Sequence, residues 1–163
     1  EATIIDEIEA AAARVPFVIV DLEGTASMTV AYAISRADLV VIPSQGSQLD
    51  AAEAAKAVKL IRQQEKAFAR RIPHAVLFTR TSAAIRPRTL QHIRSEFEAH
   101  GVPSLQTQMQ EREAFRAIFS FGGTIDGLNA GQVGGLDGAM KHARAFAAEV
   151  VAMLRQAQPA EAA

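Results

Sequence analysis

Three short runs, Phe17–Val20, Leu39–Ile42 and Ala75–Phe78, are apolar at every position, and stretches of helical character separate them. A strand without polar alternation needs cover on both of its faces. Such runs therefore point to a parallel sheet with helices packed above and below it.

The first run leads into a carboxylate, in the order Phe17-Val-Ile-Val-Asp21-Leu-Glu23-Gly24. An acid is costly to bury unless the strand's end opens onto a polar site. In open α/β sheets ligands bind at the carboxyl ends of the strands. Asp21 and Gly24 form Asp-x-x-Gly, which suits a hydrated magnesium ion beside a terminal phosphate. It equally suits a capped strand end followed by a glycine turn.

Length and composition narrow the class. The 163 residues fit one domain, and 49% apolar residues supply a core. A charged fraction of 21% argues against disorder. No run approaches the roughly 20 apolar residues that cross a bilayer, and no signal peptide is recognisable at the start of the sequence. Cysteine is absent, which excludes disulfides and thiolate metal sites and suits a cytoplasmic location. His74, His92, His100 and His142 lack ligand spacing, so no zinc site is expected.

The expected order of elements is a helix over 3–14, a strand over 17–21, a helix over 26–36 and a strand over 39–43. Asp50 is expected to cap a helix over 51–69, followed by a strand over 74–79. Pro87 opens a helix that Gly101 ends, and a weaker strand covers 104–109. A helix over 111–119, a mobile glycine-rich loop over 122–135 and a helix over 136–155 complete the domain. It spans 1–155, with a flexible tail over 156–163. The fold class is α/β, a doubly wound and mostly parallel sheet with helices on both faces. No βα unit precedes the run at 17, and no Gly-Lys pair occurs anywhere. Phosphate-binding folds of this class usually carry their phosphate loop in that first unit. The sequence therefore reads as the later portion of a larger nucleotide-binding domain. The glycine-rich loop follows a helix and lacks lysine, so it is not read as a phosphate cradle.

Charge is uneven. Ten basic residues lie between Lys56 and Arg94, opposed only by Glu65, in a chain of net charge −1. Lys59, Arg62 and Lys66 recur at helical spacing and can share a face. Arg86, Arg88 and Arg94 cluster at and beyond the start of the next helix. No aromatic residues interleave, so phosphate contact is indicated and base stacking is not. A plain solvated face is the competing reading.

Phe17 to Gly24, Ala37-Asp-Leu-Val-Val-Ile-Pro-Ser-Gln45, Thr79-Arg80 and Ser120-Phe-Gly122 together resemble the ParA/MinD family of deviant Walker ATPases, in its partition-type subgroup. The likeness covers roughly residues 1–155. It implies a P-loop NTPase-like fold, ATP and Mg2+ as ligands, an ATP-dependent homodimer, slow ATP hydrolysis and non-specific DNA binding. It also implies an activating partner protein and plasmid, chromosome or protein cargo, and no membrane partner is expected in the absence of a spanning run. By the same likeness Asp21 would hold magnesium through a water, and Gly24 would approach the γ-phosphate. Glu23 would orient an attacking water or simply face solvent. Thr79 and Arg80 would meet the base, with Glu111 and Arg112 added by position. Basic residues of the carboxyl-side helices would contact DNA, foremost Arg86 and Arg88.

The departures are Leu22-Glu23-Gly24 where two prolines are usual, Met109-Gln110-Glu111-Arg112 where Ile-Pro-Arg-Asn is common, and the missing phosphate loop. As given, the chain is not expected to hydrolyse ATP by itself. Two alternatives stand beside this reading: a related small-molecule ligase or reductase, and a non-catalytic interaction module of the same fold. The lack of cysteine weighs against an iron–sulfur reductase.

Overall fold

A computed structural model describes residues 3–24, 27–82 and 88–157. The chain is an α/β protein built on three parallel strands in the order β1-β2-β3: Val40–Ser44, His74–Thr81 and Met109–Gln110. In chain order the helices are α1 (Ile4–Ala12), α2 (Met28–Arg36), α3 (Gln48–Phe68), α4 (Arg88–Ala99), α5 (Glu113–Phe121) and α6 (Leu136–Ala157).

Alternation along β2 divides the core. Val76 and Phe78 face a cluster with Ile34 of α2, Ala54, Val58 and Ile61 of α3, and Leu90, Ile93 and Phe97 of α4. Ala75 and Leu77 point the other way, against Leu105 and the partly buried Phe146 and Met153 of α6. The sheet is thus covered on both faces, as the continuous apolar runs require. Phe78 and Ile61 are fully buried; each such side chain contributes about 1.5–3 kcal/mol. A separate small core joins Ala114 and Ala117 of α5 to Val133 and Ala139.

Several expectations change. Residues 17–21 form no strand, and Phe17 and Ile19 are 62% and 94% exposed. An apolar run fixes a preference for burial but not a partner, and no described strand pairs with this one. Among the described strands β1 lies at the edge of the sheet, which accommodates Pro43, a residue with no N–H to donate. The cap of α3 is Ser47, whose hydroxyl accepts from the Asp50 N–H at 3.2 Å and also bonds the Asp50 carboxylate. Asp50 thus serves as the acid of a Ser-x-x-Asp cap, one turn inside the helix. The weak strand over 104–109 reduces to Met109–Gln110 and an isolated bridge between Val76 and Ser104. The glycine-rich loop carries a 3-10 turn at Ile125–Gly127 and one anchor, Val133, 4% exposed, while most of its residues are exposed. α6 continues through Gln156 and Ala157, so the tail expectation for 158–163 lies outside the described residues.

Candidate functional site

The carboxyl ends of β2 and β3 bring four candidate residues together. Thr79 pairs with Met109 and Thr81 with Gln110, so two steps on β2 match one on β3. Arg80 is the extra residue of this bulge. It sits in the left-handed region at φ 51°, with its side chain exposed. Holding a non-glycine residue there costs on the order of 1–3 kcal/mol, a strain that clusters at ligand sites. The Glu111 N–H then donates to the Thr81 carbonyl at 3.1 Å, which fixes Glu111 and Arg112 beside the bulge.

Arg112 is held from two sides. Its Nη2 donates to Gln110 Oε1 at 2.8 Å, and its guanidinium lies against Gly138 in the first turn of α6. Three buried polar atoms of this region have no hydrogen-bond partner among the described residues: Thr81 Oγ1, on a residue 7% exposed, Arg112 Nε and His142 Nδ1. Buried orphans are uncommon and call for a partner. A hydroxyl that both donates and accepts, and a guanidinium N–H that donates, are the kinds of group that engage the edge of a nucleobase. His142, on the second turn of α6, has its pKa lowered by burial, with the charges of Arg112 and Lys141 adding to the effect. Below it, Glu149 accepts from the backbone N–H groups of Gln106 at 2.6 Å and Thr107 at 2.9 Å, holding the approach to β3.

Thr79, Arg80, Glu111 and Arg112 were expected at this site from the sequence; Thr81, Gln110, Gly138 and Glu149 were not. Gly138 alone carried a local signal: an isolated glycine in a helical pattern usually has a packing reason. The buried Thr81 hydroxyl depends on a bulge that no local pattern announces.

Asp21, Glu23 and Gly24 make none of the hydrogen bonds that hold this cluster. Asp21 and Glu23 are exposed and make no hydrogen bond or ion pair among the described residues. A Cβ built on Gly24 would meet nothing within 4 Å. No group of three or more His, Asp or Glu that could hold a metal occurs among the described residues. Asp21 alone fits magnesium only in the manner in which that ion usually binds, through one carboxylate with waters and phosphate oxygens.

The basic residues divide as well. Arg88 is exposed at the first residue of α4, and Arg86 lies outside the described residues. Lys59, Arg62 and Lys66 are exposed on one side of α3, with Arg62 Nη2 donating to the His100 carbonyl at 2.9 Å. Arg94 turns inward instead: its Nη2 donates to the Leu105 carbonyl at 3.2 Å, and its guanidinium lies 5.3 Å from the Phe78 ring centroid. No helix among the described residues is long and apolar enough to cross a membrane.

Comparison with known proteins gives a consistent picture. The family model described as VirC1 protein matches residues 5–157. Protein ParA of Rhizobium radiobacter is 41% identical over 140 residues, which cover 86% of this chain. The chain spans 63% of that relative's length.

Proposed function

The chain belongs to the VirC1 family and is a partition-related protein of ParA type, and from this membership we propose that the whole protein is an ATP-dependent positioning ATPase. It dimerises on ATP, binds DNA without sequence preference and responds to an activating partner. The observation that supports the nucleotide reading is the placement of Thr79, Arg80, Glu111 and Arg112 at and just beyond the carboxyl ends of two parallel strands, where Thr81 Oγ1 and Arg112 Nε are buried without a partner among the described residues. Open α/β sheets bind ligands at that end.

In this proposal the Thr81 hydroxyl and Arg112 hold the base edge, and Arg80 covers its face. Asp21 positions a magnesium-bound water, and Gly24 offers its N–H to the γ-phosphate. Glu23 either orients the attacking water or faces solvent. Lysines for the phosphates come from outside residues 1–163. Arg86 and Arg88 contact DNA phosphates, and Lys59, Arg62 and Lys66 extend the positive surface that attracts the polyanion.

The test uses the full-length protein in sedimentation and DNA-shift measurements, with and without ATP. ATP-dependent dimerisation together with ATP-dependent binding to unrelated duplexes supports the proposal. A monomer in ATP, or DNA binding indifferent to nucleotide, refutes it.

A further inference from the structure

A second feature involves none of the residues gathered at the carboxyl ends of β2 and β3. α3 and α4 flank an open groove of about 570 Å3. Its lining is largely apolar, with Ala55 exposed and Val58 and Phe97 nearly buried at 3% and 7%, while Lys59, Arg62 and Lys66 line it from α3. Residues from Gln48 to Lys66 line it. At 1.5 Å per residue that wall is about 27 Å long, the length of a helix of about 18 residues.

The charges in the groove are one-sided. Glu96 is the one acid among the described lining residues, and it is engaged by Gln48 Nε2 at 3.3 Å and by His92 at 3.6 Å. Lys59 and Lys66 make no hydrogen bond or ion pair among the described residues. An apolar lining gives nothing to a phosphate backbone, which would engage the rim alone. A helix with one apolar stripe packs on that lining and, with carboxylates beside the stripe, meets the unpaired lysines. The acidic helix α1 of this chain is not the occupant, because it packs on α2 with Glu9 paired to Arg36.

We propose that the α3–α4 groove docks an acidic amphipathic helix of a partner protein. This inference does not depend on nucleotide binding at the strand ends.

The experiment selects, on the full-length protein, from a library of helical peptides about 18 residues long. Selected sequences are expected to place Asp or Glu beside an apolar stripe. They should bind at least about tenfold more tightly than versions with Lys at those positions. The double substitution Lys59→Glu with Lys66→Glu should weaken binding about tenfold or more. Ala55→Trp, which fills the groove, should abolish it while the circular-dichroism melt stays unchanged. Lys56→Glu is the control for charge, since Lys56 lies outside the groove and pairs with Glu53. It should change binding by less than about twofold. Four outcomes overturn the proposal: selection without acidic bias, binding indifferent to Ala55→Trp and the double reversal, a duplex DNA protecting the lining amides from hydrogen exchange, or a second copy occluding the groove in solution.

Discussion

The guanidinium of Arg112 rests on the backbone of Gly138: a Cβ at position 138 would stand 2.8 Å from Nη1 and 3.1 Å from Cζ. Glycine in a helix costs up to about 1 kcal/mol relative to alanine. Its presence at the third residue of α6 is explained by the seat it leaves for the arginine. Gly138→Ala should therefore leave stability unchanged or raise it by up to about 1 kcal/mol, because the arginine head can swing away. In the full-length protein the same change should weaken ATP binding, since Arg112 leaves its position. Denaturant melts and nucleotide titration of one variant separate the two effects. A loss of stability with intact ATP affinity would count against the assignment.

Acid sensitivity follows from α6. Burial raises the pKa of Glu149, but the hydrogen bonds from Gln106 and Thr107 and the charge of Arg94 outweigh it, so the carboxyl titrates below its ordinary 4.5. His142 titrates below its ordinary 6.5, chiefly through burial. In both cases the unfolded chain takes up the proton first, so the stabilisation is complete above the unfolded value and is lost as pH falls through the folded one. Urea midpoints should decline as pH drops below 6.5 and decline further below 4.5. His142→Gln should flatten the upper part of that decline. Glu149→Gln should lower stability at neutral pH by about 1–2 kcal/mol and flatten the lower part.

Arg88 and Arg94, six positions apart on α4, should behave oppositely. Arg88→Ala should weaken DNA binding by the full-length protein and reduce the salt slope by up to about 0.9 for each phosphate the arginine neutralises. Its melting should not change. Arg94→Ala removes a charged donor from the Leu105 carbonyl and the cation beside Phe78, and should cost about 1–3 kcal/mol of stability. Filter binding across a salt series, paired with chemical denaturation, distinguishes them.

The fold was largely legible because its signals are local. Continuous apolar runs marked β1 and β2, and Gly101, at φ 68°, closes α4 where a helix stop was expected. The Ser47 cap was within reach too, since Ser-x-x-Asp is a short-range pattern. What stayed hidden depends on tertiary partners. Phe17–Val20 has the composition of a buried strand, yet it pairs with no described strand. The inward turn of Arg94 depends on the ring of Phe78, and the orphan Thr81 hydroxyl on a bulge at Arg80. Charge spacing on α3 was readable, but not the apolar lining that α3 and α4 form together.

If the proposed function holds, this chain supplies the base pocket and a magnesium-linked carboxylate of an ATP site. The decisive experiment titrates ATP into the full-length protein, with and without Mg2+, using the native chain, Asp21→Asn and Arg112→Ala. The native protein should bind in a magnesium-dependent way. Asp21→Asn should lose the magnesium dependence, and Arg112→Ala should lose affinity at every magnesium concentration. Absence of ATP binding by the native protein, or identical isotherms for all three, would overturn the nucleotide assignment.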